Sequence, residues 1–280
     1  MGASMNRKGF EREFDAFVER NRFTIAVVFP LVGAVLLVAS AQRLVPPALA
    51  FNPYLVLAGV LVMRLPLVAG LVPLVDCRGA ALVLALAGYA YAVEFVGATT
   101  GLPYGEFAYE IPLGPMLADT IPLGLPVFFV PLVLNAYLLC LLLLGERAGS
   151  AAVRLPAVIG AVVAVDLVLD PAAVAVGFWA YESGGYYGVP LLNFGGWVVS
   201  ATVATLLVDA AFDRAALLAR VRSCPFVLDD LVSFVLLWGA VNAFYGAWIP
   251  VTVALLFAFG LVRLDRFDFS VVGVPGRQTG

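Results

Sequence analysis

Five acidic residues lie within or beside long apolar stretches of this 280-residue sequence: Glu94, Asp119, Asp166, Asp170 and Glu182. A carboxylate at the centre of a membrane helix costs about 2.5 to 3.5 kcal/mol on insertion scales, so an acid that is retained there is a candidate functional group. For each acid taken alone, the alternative is structural: it pairs with Arg64, caps a helix or lines a water pocket. For the five together we favour function, because the sequence places no basic partners beside them.

The spacing of Asp166 and Asp170 indicates a specific chemistry. Residues four apart share one face of a helix and lie about 6 Å apart along its axis. Two carboxyl groups this close in a low dielectric are not both ionised, so one of them stays protonated. A protonated carboxyl group near neutral pH can act as a general acid. We expect Pro171 to break the helix directly after the pair and to free backbone groups there.

Other polar and aromatic side chains are candidates for binding substrate or water. They are Asp119, Glu182, Tyr104, Asn135, Tyr187, Asn193 and Trp197. The asparagines either orient a water molecule or bridge helices. The aromatic residues belong either to the belt expected at a membrane interface or to a cavity wall whose ring faces stabilise a carbocation.

The sequence contains no histidine, which excludes histidine-held metal centres and nucleophiles activated by histidine. Its three cysteines, Cys77, Cys140 and Cys224, are scattered and lack the spacing of a zinc site or a disulfide framework. The net charge of −3 provides no basic footprint for nucleic acid. Any catalysis must therefore use carboxyl groups, tyrosine, asparagine, hydroxyl groups or arginine.

The elements that position these residues are predicted to be membrane helices. Hydrophobic residues make up 63% of the chain and charged residues 12%, against roughly half and a quarter in soluble domains. We predict an all-α, polytopic transmembrane helical bundle with about eight spans. The predicted spans are Phe23–Ala41, Ala50–Val75, Ala80–Val96, Asp119–Leu144, Ala152–Val176, Pro190–Val208, Leu228–Tyr245 and Ala247–Val262. The last two form a tight hairpin near Gly246.

The distribution of basic residues predicts the orientation of the bundle in the cell membrane. With the N-terminus in the cytoplasm, every basic residue except Arg43 and Arg64 lies in a cytoplasmic segment or at a cytoplasmic span end. Residues 1–22 are then a cytoplasmic amphipathic helix, 23–264 a single transmembrane domain, and 265–280 a cytoplasmic tail. Asp229 and Asp230 begin the seventh span, where we expect them to cap the helix and match its dipole.

Four sequence pieces together resemble a known family. They are Glu94 followed by GLPYGEFAY (Gly101–Tyr109), LGPMLADTIPLGLPV (Leu113–Val127), DLVLDPAAVAVGFWAY (Asp166–Tyr181) and GGYYGVPLLNFGGW (Gly184–Trp197). The series is similar to that of the membrane hydratases of carotenoid biosynthesis, of the bisanhydrobacterioruberin hydratase type, which act on acyclic carotene ends. The resemblance covers somewhat over a third of the chain.

The resemblance implies a reaction and roles for the residues. Such hydratases add water across the terminal trisubstituted double bond of an acyclic carotenoid, without a metal or redox cofactor. Asp166 or Asp170 would donate the proton, and Glu94 would orient water or raise the pKa of that acid. Asn193, Tyr187 and Trp197 would line the site. The implied partners are a membrane-embedded carotenoid, the lipid bilayer and other membrane enzymes of the carotenoid pathway.

Two other functions are compatible with the sequence. A polytopic prenyltransferase uses DxxxD spacing, as in Asp166–Asp170, to hold magnesium and diphosphate, but it needs a second acidic motif and nearby basic residues. A proton-coupled transporter uses intramembrane acids as a relay, but no internal repeat is evident and the acids are confined to one half of the predicted bundle. Dependence on magnesium or on a gradient would distinguish these functions from a hydratase.

Overall fold

The structure is a computed structural model that describes residues 2–267, and it is predominantly α-helical. The α-helices are α1 (Gly2–Arg20), α2 (Phe29–Ala41), α3 (Pro53–Leu71), α4 (Cys77–Thr100), α5 (Leu125–Leu144), α6 (Ala151–Val176), α7 (Leu191–Ala211), α8 (Arg214–Ser223), α9 (Asp229–Phe244) and α10 (Trp248–Arg263). A π-helical segment, Thr24–Val28, precedes α2. Four short strands complete the fold: β1 (Phe107–Tyr109), β2 (Met116–Leu117), β3 (Ile121–Pro122) and β4 (Trp179–Tyr181). Most of the predicted tail, residues 268–280, lies outside the described residues.

Six helical segments of the described chain are long and apolar enough to cross a membrane. They are Thr24–Ala41, Pro53–Leu74, Cys77–Thr100, Leu125–Gly149, Ala151–Val176 and Leu191–Ala211. The two remaining predicted spans correspond to α9 and α10, which have 16 residues each. They form the predicted hairpin, and Gly246 turns the chain with a φ of 73°.

The N-terminal segment forms the predicted helix and packs against the bundle. Val18 is fully buried, and Asp15 pairs with Arg220 of α8 at 2.7 Å. Arg7 donates to the carbonyl groups of Val72 and Val75 after α3. Helix α1 therefore lies across the end of the bundle where α3 finishes.

Prolines inside the helices leave carbonyl groups that side chains from other elements satisfy. We expected Pro171 to end its helix, but α6 continues through it to Val176. Proline has no N–H for the carbonyl four residues earlier, which is that of Leu167. The Tyr186 hydroxyl donates to this carbonyl at 3.3 Å, so the helix continues without an orphaned group there.

The segment before α5 differs from the prediction that the fourth span begins at Asp119. Helix α5 begins at Leu125, and Asp119 lies exposed in the turn between β2 and β3. Both central residues of this turn, Ala118 and Asp119, have positive φ, and Thr120 N–H donates to Leu117 O at 3.1 Å. This is the geometry of a hairpin turn, which aspartate tolerates.

The segment between α4 and α5 and the segment between α6 and α7 join in a two-stranded antiparallel ribbon. Strand β1 pairs with β4 in a register that sets Phe107 opposite Tyr181 and Tyr109 opposite Trp179. Directly opposed residues of such a pair point to the same face, so all four rings share one face. Helices α4 and α6 pack against this ribbon, through contacts of α4 with β1 and of α6 with β4.

Candidate active site

A cavity of about 380 Å³ lies beneath the ribbon. Its walls come from α3, α4, α5, α6, α7 and α9 and from the loops that contain the four strands. The lining is mainly aromatic and aliphatic, and two carboxylic acids, Glu94 and Asp170, reach it. Among the described residues, no basic side chain lines the cavity. A concave apolar site with a few convergent polar groups is the usual form of a small-molecule site.

A cluster of four polar side chains surrounds one end of the cavity. The amide nitrogen Nδ2 of Asn193 lies 3.0 Å from Asp166 Oδ2 and 2.6 Å from Asp170 Oδ2. The Tyr181 hydroxyl lies 3.0 Å from Asp170 Oδ2 and 3.2 Å from Asn193 Oδ1. Helix α6 therefore supplies both acids, α7 supplies the amide at its first turn, and β4 supplies the phenol. The two carboxyl groups lie within hydrogen-bonding reach of one another.

A second acidic centre faces the same cavity from α4. The Tyr109 hydroxyl donates a hydrogen bond to Glu94 Oε1. Burial and the adjacent carboxyl groups raise the pKa of the Tyr109 and Tyr181 phenols above its ordinary value. Both phenols therefore stay protonated and act as hydrogen-bond donors to the carboxyl groups.

Tyr104 is held by close packing between α4 and α7. A Cβ atom at Gly196 would lie 2.6 Å from the Pro103 carbonyl oxygen and 2.7 Å from the Tyr104 ring. A Cβ atom at Gly97 would lie 3.0 Å from the other edge of the ring. The Tyr104 hydroxyl is 2.6 Å from the buried Ser200 hydroxyl. Glycine at both positions lets the loop insert between the helices and present Tyr104 to the cavity.

Aromatic rings form the wall next to Tyr104. Trp197 stacks on Phe129 with centroids 5.4 Å apart and lies 5.9 Å from the Tyr104 ring. Their faces carry negative electrostatic potential, which stabilises a nearby cation. This wall therefore suits a reaction in which positive charge develops on an apolar substrate.

The structure brings six of the predicted site residues together. Five of them line the cavity, namely Glu94, Asp170, Tyr104, Asn193 and Trp197. Asp166 lies directly behind Asp170 and is completely buried. The carboxyl pair on one helix face and the polar interruption at Asn193 were the signals that predicted this grouping.

Two predicted site residues lie elsewhere because they serve other contacts. Asn135 is buried in α5, where its Nδ2 donates to Asp230 at 2.7 Å. The Tyr187 side chain is exposed outside the cavity, and its hydroxyl accepts a hydrogen bond from the Ile249 N–H at 3.4 Å. Each of these residues forms a hydrogen bond to another element of the fold, so its contacts are structural.

Two predicted acids remain outside the cavity. Asp119 is exposed in the β2–β3 turn, and Glu182 is exposed at the end of β4. Glu182 lies beside Glu106, and the hydrogen bond and charge of Glu106 raise its pKa. These two acids do not join the cavity acids, because Asp119 lies in a hairpin turn and Glu182 follows the last residue of β4.

Asp229 and Asp230 are also not the helix caps that we expected. The N-cap residue of α9 is Leu228, and no side chain caps the helix. Asp229 pairs with Arg22 at 2.7 Å, and Asp230 pairs with Arg64. Both carboxyl groups are completely buried, so the need for a charged partner outweighs any capping role.

Tyr109 and Tyr181 are site residues that were not among the candidates named from the sequence. Their roles depend on the pairing of β1 with β4. The available signal was the repeat of two aromatic residues around alanine, FAY and WAY, at positions 107–109 and 179–181. Such alternation is typical of a strand with one buried face.

Asp166 and Asp170 do not form part of a larger acidic cluster. Their polar neighbours are Asn193 and Tyr181. Within residues 2–267, no group of three or more histidine, cysteine, aspartate or glutamate side chains is arranged to hold a metal ion. Among the described residues, the DxxxD spacing is therefore not accompanied by the second acidic motif that a magnesium–diphosphate site requires.

Comparison with known proteins places these features in a family context. The model of the carotenoid biosynthesis protein family matches residues 51–261, which include the cavity acids. The chain is 62% identical over 259 residues to the bisanhydrobacterioruberin hydratase of Haloarcula japonica, which covers 92% of this chain and 88% of that protein. No solved structure matches the chain.

Proposed function

Because this chain belongs to the carotenoid biosynthesis protein family, we propose that it is a carotenoid hydratase, a hydro-lyase acting on acyclic carotenoid ends. The name of the Haloarcula japonica relative supports this reaction class, and bisanhydrobacterioruberin is the corresponding substrate type. The observation that carries the proposal is a pair of adjacent carboxyl groups with neutral donors at the end of an aromatic cavity.

The first step is protonation of the terminal trisubstituted double bond. The Asp166–Asp170 pair donates one proton to the less substituted alkene carbon, and the π electrons form the new C–H bond. A tertiary carbocation remains on the substrate and a carboxylate remains on the protein. The ring faces of Trp197 and Tyr104 stabilise the cation, which carries no strong hydrogen-bonding group of its own.

The second step is capture of the cation by water. Glu94, oriented by the Tyr109 hydroxyl, accepts a proton from the water as its oxygen forms the C–O bond. The proton gained by Glu94 balances the proton lost by the aspartate pair. Its return to that pair completes the cycle, so the net reaction consumes one water and needs no metal or redox cofactor.

Entry from the lipid is supported by the residues at the rim of the cavity. Tyr54, Leu61 and Leu123 line it and remain 67%, 48% and 47% exposed. An exposed rim of apolar side chains suits contact with acyl chains and a hydrophobic polyene. The cavity accommodates only the end of a long carotenoid, so the remainder extends into the bilayer. Substrate and product thus exchange with other membrane enzymes of the pathway through the lipid.

We further propose eight crossings of the cell membrane with both termini in the cytoplasm. Helices α9 and α10, with 16 residues each, are about 24 Å long, slightly less than a hydrocarbon core. The Tyr245 hydroxyl, near their hairpin, accepts a hydrogen bond from Gln42 at the end of α2, at 3.3 Å. This contact supports a hairpin that reaches the outer end of the first span.

The test is production of hydrated carotenoid by the full chain in a host that makes an acyclic carotenoid with trisubstituted ends. The wild type should add 18 mass units per hydrated end, roughly the mass of one water, and deuterium oxide should introduce one carbon-bound deuterium. Asp166→Asn/Asp170→Asn should make no product. Full activity of this double variant, with the protein present in the membrane, would disprove the acid mechanism. Loss of wild-type activity with chelator, or without a gradient, would instead favour the prenyltransferase or the transporter.

A further inference from the structure

The two aspartates differ in their access to the substrate. Asp170 lines the cavity and retains 4% of its surface exposed, whereas Asp166 does not line it and is completely buried. They lie one helical turn apart on α6, so only one of them reaches the space in which the alkene must lie. A proton donor must be within hydrogen-bonding reach of the atom that it protonates.

The two aspartates also differ in the donors that surround them. Asp170 Oδ2 accepts from both the Asn193 amide and the Tyr181 hydroxyl. Asp166 Oδ2 accepts from the Asn193 amide alone, and within the described residues no donor reaches the buried Asp166 Oδ1. An ionised carboxylate requires several donors when it is removed from water, and Asp170 is the one that has them.

We propose that Asp170 is the residue that transfers its proton to the alkene and that Tyr181 is a positioning residue that stabilises the carboxylate left behind. This assignment deepens the proposed hydratase function and rests on it. Asp170 holds the proton on Oδ1, while Oδ2 accepts from Tyr181 and Asn193. When the Oδ1–H bond breaks, the proton and the alkene π electrons form the C–H bond, and the electron pair of Oδ1–H remains on Asp170.

Asp166 supports this step as the neutral partner of Asp170. It has too few donors to carry a charge of its own, so it retains its proton while Asp170 is ionised. A neutral carboxyl group within reach of Asp170 offers a third hydrogen bond to the new carboxylate. An asparagine at position 166 would keep an N–H donor there but not a transferable proton.

The ribbon makes this arrangement sensitive to folding outside the helices. Tyr181 belongs to β4, and its ring contacts Phe107 of β1 with centroids 5.9 Å apart. Tyr109 of the same ribbon holds Glu94. The ribbon therefore positions the Tyr181 hydroxyl beside Asp170, the proton donor, and the Tyr109 hydroxyl beside Glu94, which accepts the proton from water.

The first experiment compares two single substitutions in the full-length protein, in membranes supplied with the acyclic carotenoid. Asp170→Asn should abolish hydration, and Asp166→Asn should retain at least about one-hundredth of wild-type activity through its remaining donor. Deuterium incorporation should be absent in Asp170→Asn and present in the Asp166→Asn product. The reverse order, or equal losses in both folded variants, would overturn the assignment without touching the hydratase proposal. That proposal is tested separately by the double variant and by the activity of the wild type with chelator or without a gradient.

The second experiment removes the Tyr181 hydroxyl alone. Tyr181→Phe keeps the ring packing, so the KM should stay within about twofold of the wild type, while kcat should fall about tenfold to a hundredfold, as expected for a hydrogen bond to a charged group. The solvent deuterium isotope effect on kcat should increase because proton transfer becomes slower. The control is Tyr186→Phe, whose hydroxyl contacts the Leu167 carbonyl outside the cavity, and it should leave kcat and the isotope effect unchanged. An unchanged kcat and isotope effect in Tyr181→Phe, or a rise in KM alone, would overturn the positioning role.

Discussion

Six buried or half-buried acids of the described chain fall into two groups that differ in their partners. Asp209, Asp229 and Asp230 pair with Arg154, Arg22 and Arg64. Within the described residues, Glu94, Asp166 and Asp170 accept hydrogen bonds from neutral donors, namely tyrosine hydroxyl groups and one asparagine amide. An arginine partner keeps a carboxylate ionised, whereas neutral donors allow its protonation to change during a reaction. The partners of each acid thus distinguish the acids with a structural role from those that can take part in proton transfer.

Replacement of Glu94 should separate protonation from water capture. In Glu94→Gln the cation still forms but lacks a base for the incoming water, so hydrated product should fall about a hundredfold or more. The cation then loses a proton and returns to alkene. Substrate recovered from deuterium oxide should therefore carry deuterium, as measured by mass spectrometry.

The matched control for this substitution is Glu106→Gln. Glu106 lies next to the ribbon but is exposed and does not line the cavity. It should give wild-type amounts of hydrated product. If Glu94→Gln also did so, Glu94 would have no role in the handling of water.

At the level of elements, the site depends on glycine and proline positions where helices and loops pack closely. The loop that contains Tyr104 fits between α4 and α7 only because Gly97 and Gly196 lack a Cβ atom. Similarly, Pro131 in α5 leaves the Val127 carbonyl without its helical partner, and Arg64 Nε donates to that carbonyl at 3.2 Å. Glycine and proline positions therefore determine the contacts between these helices.

Two adjacent glycines of α7 provide a direct test of this packing. Gly196→Ala should destabilise the protein by about 1 to 3 kcal/mol, because its Cβ atom meets the backbone of Pro103. Gly195→Ala meets nothing within 4 Å and should be neutral or stabilising by up to about 1 kcal/mol, since alanine favours helix. Thermal unfolding in detergent would measure both. Equal stability of the two variants would contradict the tight fit of the Tyr104 loop.

The Arg64–Asp230 pair should be essential as a pair rather than as single residues. Arg64→Met leaves Asp230 buried and unpaired, so we expect a loss of about 3 to 5 kcal/mol. The double variant Arg64→Met/Asp230→Asn removes both charges and should recover most of that loss. The exposed Arg12, which donates to the Lys8 carbonyl of its own helix at 3.2 Å, is the control: Arg12→Met should cost less than about 1 kcal/mol. A double variant no more stable than Arg64→Met would show that charge burial does not govern this position.

The ion pairs and the cavity lie at opposite ends of the helix bundle. Ion pairs that join distant segments gather at one end, where Asp15 meets Arg220 and Arg22 meets Asp229, each at 2.7 Å. The cavity, the ribbon and the unpaired acids occupy the other end. Positive charge is retained on the cytoplasmic side of a membrane, so the end with the ion pairs should face the cytoplasm and the cavity should face outward.

Cys77 provides a native reporter of this orientation. It is the exposed one of the three cysteines, whereas Cys140 and Cys224 are buried, and it begins α4 at the end with the ion pairs. A membrane-impermeant maleimide should label it in inside-out vesicles and not in intact cells. In a Cys77→Ser background, Ser183→Cys on the outer loop should show the opposite pattern. Labelling of Cys77 in intact cells would show that the orientation is the reverse of the proposed one.

The sequence alone determined the membrane character of the chain, the approximate positions of its helices and the acids of the cavity. These properties depend on local signals: apolar length, the asymmetry of arginine, and the four-residue spacing of Asp166 and Asp170. The family motifs added the reaction class, and comparison with known proteins confirms the family. The positions of α9 and α10 and their hairpin at Gly246 were also predictable, because each is an apolar run beside a turn signal.

Only the tertiary structure decided which polar groups meet. Tyr109 and Trp179 face each other across the ribbon although they are far apart in the sequence, and no local pattern specifies that pairing. No local pattern specifies the pairing of Asp230 with Arg64 either. This ion pair is the role of Asp230 in the structure, where the sequence predicted a helix cap. Asp119 lies outside the predicted site because it forms part of the turn between β2 and β3 and does not begin α5. Burial forces each polar group to find a partner, and the identity of that partner depends on helix packing.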